Sequence, residues 1–177
     1  MENKNLHKAK VFVKNEAYVE FNVEYANPED VDQIAELLKL VWSQTFNQFL
    51  SDRPAHILFR KEKIKEWIDA HNNYVGVVKS LSDKIVCVIS AFEEEDTVHV
   101  SHLYVHPNFQ HKGLGSKLID SVFARFINHN RFTLRVFERN TYARNFYRFK
   151  GFYEVSIKNA DFGTETTPSI LMEKLVD

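Results

Sequence analysis

The chain has 177 residues, 44% of them hydrophobic and 27% charged, a balance that places it with folded globular proteins and excludes a disordered or membrane-embedded polymer. A formal net charge of −1 and a pI near 6.7 give no global reason to expect nucleic acid as a partner. The lone Cys87, inside the apolar run Ile85-Val86-Cys87-Val88-Ile89, excludes a disulfide framework and a thiolate zinc site and reads as core filler.

The first residues are rich in Lys and Asn and lack the apolar stretch of about 7 to 15 residues that a signal peptide needs. Nowhere do about 18 apolar residues run together, so the expectation is a cytoplasmic protein with no membrane partner. Residues 1–17 carry one apolar patch, Val11-Phe12-Val13, and read as a partly ordered extension, either a mobile tail or an added edge strand. A single domain is expected over residues 18–177.

Residues 19–25 alternate apolar and polar side chains, as a half-buried strand does. Asn27-Pro28-Glu29-Asp30 then starts a helix, with a cap, a proline suited to the first turn and acids at the positive end. Its apolar face is Val31, Ile34, Leu37, Leu38, Val41 and Trp42. A second helix is expected near residues 54–70. Residues 74–79, 84–93 and 97–105 read as three strands joined by short polar turns, an antiparallel meander. A third helix over residues 114–128 places Leu114, Leu118, Ile119, Val122, Phe123, Phe126 and Ile127 on one broad face. A strand at 132–137, a short helix from Thr141 ending at Gly151, and strands near 153–158 and 169–173 complete the chain.

Between the strand ending at Val105 and the third helix lies Gln110-His111-Lys112-Gly113-Leu114-Gly115. A strand that stops, a turn with two glycines and a new helix expose unpaired backbone N–H groups at the positive end of a helix dipole, a seat for a phosphate-sized anion. The spacing excludes two common phosphate loops. A dinucleotide fingerprint wants a third glycine or alanine where this chain has Leu118, and a nucleoside-triphosphate loop wants glycine where it has Gln110.

Downstream, Asn140-Thr141-Tyr142-Ala143-Arg144-Asn145-Phe146-Tyr147-Arg148-Phe149-Lys150-Gly151-Phe152 carries two helical stripes. Tyr142, Phe146 and Phe149, at i, i+4 and i+7, read as a core stripe. Ala143 and Tyr147, with Asn140 about a turn earlier, form a neighbouring face of a small residue, an amide and a phenol. Such a face suits a narrow thioester arm better than a packing surface.

The Q-x-x-G-x-G loop, the N-x-x-A-x-x-x-Y-x-x-x-G-F segment and the order of elements resemble the GNAT superfamily of N-acetyltransferases over residues 19–176. The resemblance implies an α+β, three-layer fold with a mixed, mostly antiparallel sheet of about seven strands and about four helices. It also implies acetyl-CoA as co-substrate and direct acyl transfer to a primary amine of a small molecule or of a protein N-terminus or lysine, by a monomer or homodimer. On the same basis Gln110, His111, Lys112, Gly113, Leu114, Gly115 and Ser116 would hold the pyrophosphate. Leu103, Tyr104 and Val105 would offer backbone groups to the pantetheine and the oxyanion. Asn140, Ala143, Phe146 and Tyr147 would line the thioester end, with Tyr147 as proton donor to the leaving thiolate. His99 would be the base that deprotonates the amine, with His102 and Glu93 behind it. No metal is expected, because the histidines span a strand and a loop without an acid or cysteine ligand.

Basic residues near the loop and short helix, Lys112, Arg144, Arg148 and Lys150, are candidates for the outer phosphates. Trp42, Phe46, Phe49, Trp67 and the Phe162-Gly163 turn would line the acceptor side. The acidic run Glu93-Glu94-Glu95-Asp96 reads as a solvated hairpin turn. Two other classes stay open at this stage: a non-catalytic acyl-CoA sensor, and an interaction module in which the glycines are a plain turn.

Overall fold

In the computed structural model, which describes residues 7–13, 17–46, 59–161 and 166–176, the first helix is set by a reciprocal cap. Asn27 Oδ1 accepts the Glu29 N–H at 2.9 Å while Asp30 Oδ2 accepts the Asn27 N–H at 3.0 Å. Pro28–Asp30 form one 3-10 turn that runs into helix α1, Val31–Phe46. Asp30 is only 3% exposed, and Lys79 Nζ at 3.0 Å compensates its charge, tying the helix start to the sheet.

The strands are β1 His7–Val13, β2 Ala17–Tyr25, β3 Asn73–Lys79, β4 Ile85–Glu94, β5 Thr97–Val105, β6 Arg131–Phe137, β7 Tyr153–Asp161 and β8 Thr166–Leu175. They form one sheet in the order β1-β2-β3-β4-β5-β6-β8-β7. All neighbours pair antiparallel except β5 and β6, which are parallel. That parallel pair needs a crossover, and α3, Leu114–Arg125, supplies it. The strand His7–Val13, paired along its length with β2, adds an edge to the seven strands expected from the sequence.

Each sheet face has its own core. On one, α1 and the shorter α2, Lys61–Asp69, bury Ile34, Leu38, Trp42 and Ile64 against Val75, Val77 and Val88. On the other, α3 sets Leu114, Leu118, Ile119 and Val122, each 1% exposed or less, against Cys87, Ile89, Val98 and Val100. Each such side chain contributes about 1.5–3 kcal/mol of burial, so the helices are held by their apolar faces rather than by propensity.

Three sequence expectations need adjustment. Helix α2 begins at Lys61, and residues 54–58 of the expected span lie outside the described residues. Helix α3 stops at Arg125 because Phe126 leaves helical geometry (φ −109°, ψ 45°), which turns Ile127 out to 77% exposure. Helix α4, Thr141–Phe149, does not present Tyr142, Phe146 and Phe149 to the core. Tyr142 is 61% and Phe149 82% exposed, while Ala143, Phe146 and Tyr147 (i, i+3, i+4) form the inward set packed on the α3 side of the sheet.

Candidate active site

The site begins with a fault in β5. His99 lies opposite Phe92 and Val100 opposite Ala91, but His102 lies opposite Ser90, so Ser101 is an extra, bulged residue. The bulge resets the alternation of side chains and puts His99 and His102 on the same face of the sheet. Just before it, pairing with β6 ends: β5 and β6 are paired only from Thr97/Arg131 to Val100/Leu134. Strand β6 continues with β8 as far as Phe137/Ser169, so the two strands diverge and β5 from Ser101 onward keeps one free edge.

His106 N–H donates to the Val86 carbonyl at 2.8 Å. Alternation along an antiparallel pair then turns the peptide groups of Leu103 and Val105 toward the free edge. The Val105 carbonyl there accepts from Gln110 Nε2 at 3.1 Å.

Past the strand, Pro107–Phe109 make a 3-10 turn and the chain enters α3 through two left-handed residues, His111 (φ 59°) and Gly113 (φ 77°). Gly113 occupies the N-cap with no side-chain cap. The first α3 backbone bond is from Lys117 N–H to the Gly113 carbonyl at 3.2 Å, which leaves the N–H groups of Leu114, Gly115 and Ser116 without helical partners. A Cβ on Gly113 would meet nothing within 4 Å. The glycine therefore serves the left-handed backbone and an open cradle rather than a protein contact.

Helix α4 supplies Asn140, Ala143 and Tyr147 to the same walls as Leu103 and Tyr104 of β5. Asn140 caps it, its Oδ1 accepting the Ala143 N–H at 3.1 Å. Tyr147 is 9% exposed, with its ring edge-on to Phe146 and Phe152. No group among the described residues hydrogen-bonds its hydroxyl, and that hydroxyl is not sealed from solvent. Burial pushes the Tyr147 phenol above its usual range. Tyr104 is raised as well, by burial first and then by the neighbouring Tyr147.

Two clefts meet at this helix. The first, about 320 Å³, runs from the α3 N-terminus along the free edge of β5. Of the residues nominated from the sequence for the pyrophosphate, pantetheine and thioester, all line it except Lys112, whose Nζ turns back to the Asn108 carbonyl at 2.9 Å and over the Phe109 ring. The outer-phosphate candidates Arg144, Arg148 and Lys150 do not line this cleft. The second, about 350 Å³, opens on the α1 side of the sheet among Trp42, Phe59, His102, Arg135, Phe137 and Ser169. Leu103, Tyr104, Asn140, Ala143 and Tyr147 line both, so the unpartnered phenol sits where the two join.

His99 lines neither cleft. Its Nδ1 is 2.7 Å from Thr133 Oγ1 and its Nε2 is 3.5 Å from Glu94, at the hairpin end of β5, roughly 13 Å of strand from Leu103. His102, three residues on, lines the second cleft, stacks on Trp67 at 4.4 Å and shares a hydrogen bond between Nδ1 and Ser90 Oγ at 2.8 Å. Burial lowers its pKa to about 4, so its imidazole is neutral at physiological pH.

The proposed phosphate cations are committed elsewhere. Arg144 and Arg148 share Glu154, and Lys150 pairs with Asp120. Of the expected acceptor-side aromatics, Trp42 lines the second cleft and Trp67 backs it through His102. The Phe46 side chain and residues Phe49, Phe162 and Gly163 lie outside what the structure describes. Sequence reading missed Arg135 and Phe137, although β6 carried a signal. Phe132, Leu134 and Val136 alternate onto the α3 face, which leaves Thr133, Arg135 and Phe137 for the α1 face.

A mixed sheet split between two central parallel strands, with a glycine loop and helix N-terminus at the mouth of the split, defines the acyl-CoA N-acyltransferase fold. A sequence profile of the Acetyltransferase (GNAT) family matches residues 32–152. The chain belongs to that family.

The fold is similar to that of the PaiA N-acetyltransferase of Thermoplasma acidophilum, determined in complex with coenzyme A (TM-score 0.75, 17% identity, 89% of this chain and 100% of that one). It is also similar to a GNAT-family acetyltransferase from Streptococcus pneumoniae (TM-score 0.71, 20% identity, 89% and 99%). A third likeness is to the ribosomal-protein-S18-alanine N-acetyltransferase of Escherichia coli (TM-score 0.69, 14% identity, 89% and 94%). No curated protein sequence matches the chain. No helix among the described residues is long and apolar enough to cross a membrane.

Proposed function

We propose that this protein transfers the acetyl group of acetyl-CoA directly to a primary amine, with the acyl donor in the first cleft and the amine entering from the second. The observation that carries the reading is the Tyr147 hydroxyl, unpartnered among the described residues at the junction of the two clefts and beside the free edge of β5. The N–H groups of Leu114, Gly115 and Ser116 form a cradle for the pyrophosphate, where the helix dipole adds about half a positive charge. With Lys112, Arg144, Arg148 and Lys150 committed to protein partners, this cradle relies on backbone rather than on side-chain cations.

The free-edge peptide groups of Leu103 and Val105 hold the pantetheine arm, and the Leu103 N–H stands where the thioester oxygen gains negative charge as the amine attacks. Tyr147 then gives its proton to the departing sulfur. With ordinary values near 10 for a phenol and 8.5 for a thiol, that transfer is uphill by about 2 kcal/mol. The burial that raises Tyr147 also raises a thiol in the same cleft, so the gap does not widen by the full shift of the phenol.

The base role passes from His99 to His102 on position. An imidazole with a pKa of about 4 cannot strip a resting ammonium whose pKa is about 10, a difference of roughly 8 kcal/mol. His102 therefore serves only after attack has begun and the nitrogen has become acidic. The amine itself must arrive neutral.

The test is release of free CoA thiol from acetyl-CoA across a panel of primary amines, matched to N-acetyl product by mass spectrometry. Acetyl-CoA binding with no acetylated product from any amine would reject transfer and favour a non-catalytic acyl-CoA sensor.

A further inference from the structure

The four arginines of β6 and α4 divide sharply by partner. Arg131 pairs with Glu173, and Arg144 and Arg148 share Glu154. Arg135 has no carboxylate, carbonyl or ring partner among the described residues, and it lines the second cleft. Among those residues it is also the only charged side chain on the cleft wall: no Asp or Glu lines it, and His102 is held neutral there.

The wall also carries an aromatic cluster. Trp42 meets Phe59 at 5.5 Å and Phe137 at 6.1 Å between ring centroids, and Tyr104 packs on Phe59. Among the described residues, an acceptor bearing only ammonium groups would thus meet a guanidinium and no compensating acid. A guanidinium is shaped to take a carboxylate through two parallel N–H bonds.

From this we infer that the acceptor amine also carries a carboxylate, which Arg135 binds, and an apolar portion that lies on the Trp42, Phe59 and Phe137 wall. The class is an apolar amino acid rather than a polyamine or an amino sugar. The volume of about 350 Å³, at the lower end for small-molecule sites, fits an acceptor of that size. This assignment rests on the acetyl-transfer reading above and narrows its substrate.

The experiment measures CoA release with L-phenylalanine, L-leucine and their amides, with spermidine as the polycationic control, alongside the acetyl-CoA-induced shift in melting temperature. The acids should exceed their amides in kcat/KM by at least about tenfold, and spermidine should be the poorest. Arg135→Gln should raise KM for the acids roughly 10- to 100-fold, leave the amides and the acetyl-CoA shift unchanged, and so erase the acid preference. Arg135→Lys should restore part of it.

Amides or spermidine used as well as the acids would overturn the assignment. So would an equal effect of Arg135→Gln on acids and amides, or an absence of turnover with every acid while acetyl-CoA still shifts the melting temperature. Absence of that shift in the native protein would instead overturn the acyl-CoA reading beneath it.

Discussion

At the scale of single residues, Tyr147 and His102 are both displaced from ordinary titration by burial, and each displacement has a measurable sign. Replacing Tyr147 by Phe keeps the ring that packs on Phe146 and Phe152 and removes only the proton. The expected result is a fall in kcat of roughly 100-fold, within the usual range for loss of a general acid, with the acetyl-CoA-induced melting shift intact. Unchanged turnover across the amine panel would remove Tyr147 from the chemistry. For His102 the pKa is about 4 in the folded protein, against about 6.5 in the unfolded chain. Between those values the unfolded state binds a proton that the folded state refuses, so stability rises with pH through the window and is complete above about 6.5. Acidification across it costs roughly 3 kcal/mol from this one residue. His102→Gln should flatten the acid limb of melting temperature against pH, read by calorimetry between pH 4.5 and 7.5. The same neutrality predicts a rate profile without an inflection near pH 6.5, rising instead toward the pKa of the amine. The sequence has two histidines three residues apart on one strand, and an unbroken period-two alternation would set them on opposite faces. Only the bulge at Ser101, a backbone event that no side chain announces, sets both on one face and gives the cleft position to His102.

At the scale of elements, the start of α3 is legible in the residues because glycine there has a backbone reason. Gly113 holds φ at 77°, and the loop before it is pinned by Gln110 on the Val105 carbonyl. Gly113→Glu should strain that backbone and put a carboxylate into the cradle of Leu114, Gly115 and Ser116 N–H groups, abolishing the acetyl-CoA-induced melting shift. The variant should fold, since a Cβ at this position touches nothing within 4 Å, and its circular dichroism spectrum should match the native one. A full acetyl-CoA shift in this variant would move the phosphate cradle elsewhere. Helix α4 was less legible. Its Tyr142, Phe146, Phe149 spacing suggests a core stripe, yet only one flank of this nine-residue helix packs, and Tyr142 instead reaches across to the His111 ring at 5.5 Å. Hydrophobic spacing identifies a helix but does not rotate it. Here the packed flank is Ala143, Phe146 and Tyr147, on a helix that Asn140 caps.

At the scale of the whole molecule, the element order was readable because each helix carries a continuous apolar face and each hairpin a polar turn. The added edge strand β1 was ambiguous, since Val11-Phe12-Val13 alone does not show whether the segment pairs with β2 or stays apart. The second cleft was the least readable part. It is assembled from α1, the bulged half of β5, β6 and β8, segments distant in sequence, whereas the first cleft draws mainly on residues 103–116 and 140–147. This asymmetry also sets what a ligand can do to the fold. A donor filling the first cleft bridges β5, α3, α4 and the Val41 and Thr45 end of α1 where the sheet is interrupted by the gap between β5 and β6. Binding only to the folded state at 100 times the dissociation constant adds about 2.7 kcal/mol, which for a chain of this length raises the melting temperature by about 5–10 °C. NAD and ATP should produce no comparable shift, because the loop has neither the third glycine of the dinucleotide turn nor the leading glycine of the triphosphate loop. Hydrogen exchange should then slow at the amides of Leu114, Gly115 and Ser116 and at the free-edge amides of Leu103 and Val105. Amides in β1 and β2, at the far edge of the sheet, should keep their rates. Protection spread evenly over the sheet would mean that the donor stabilises the fold without seating in the split.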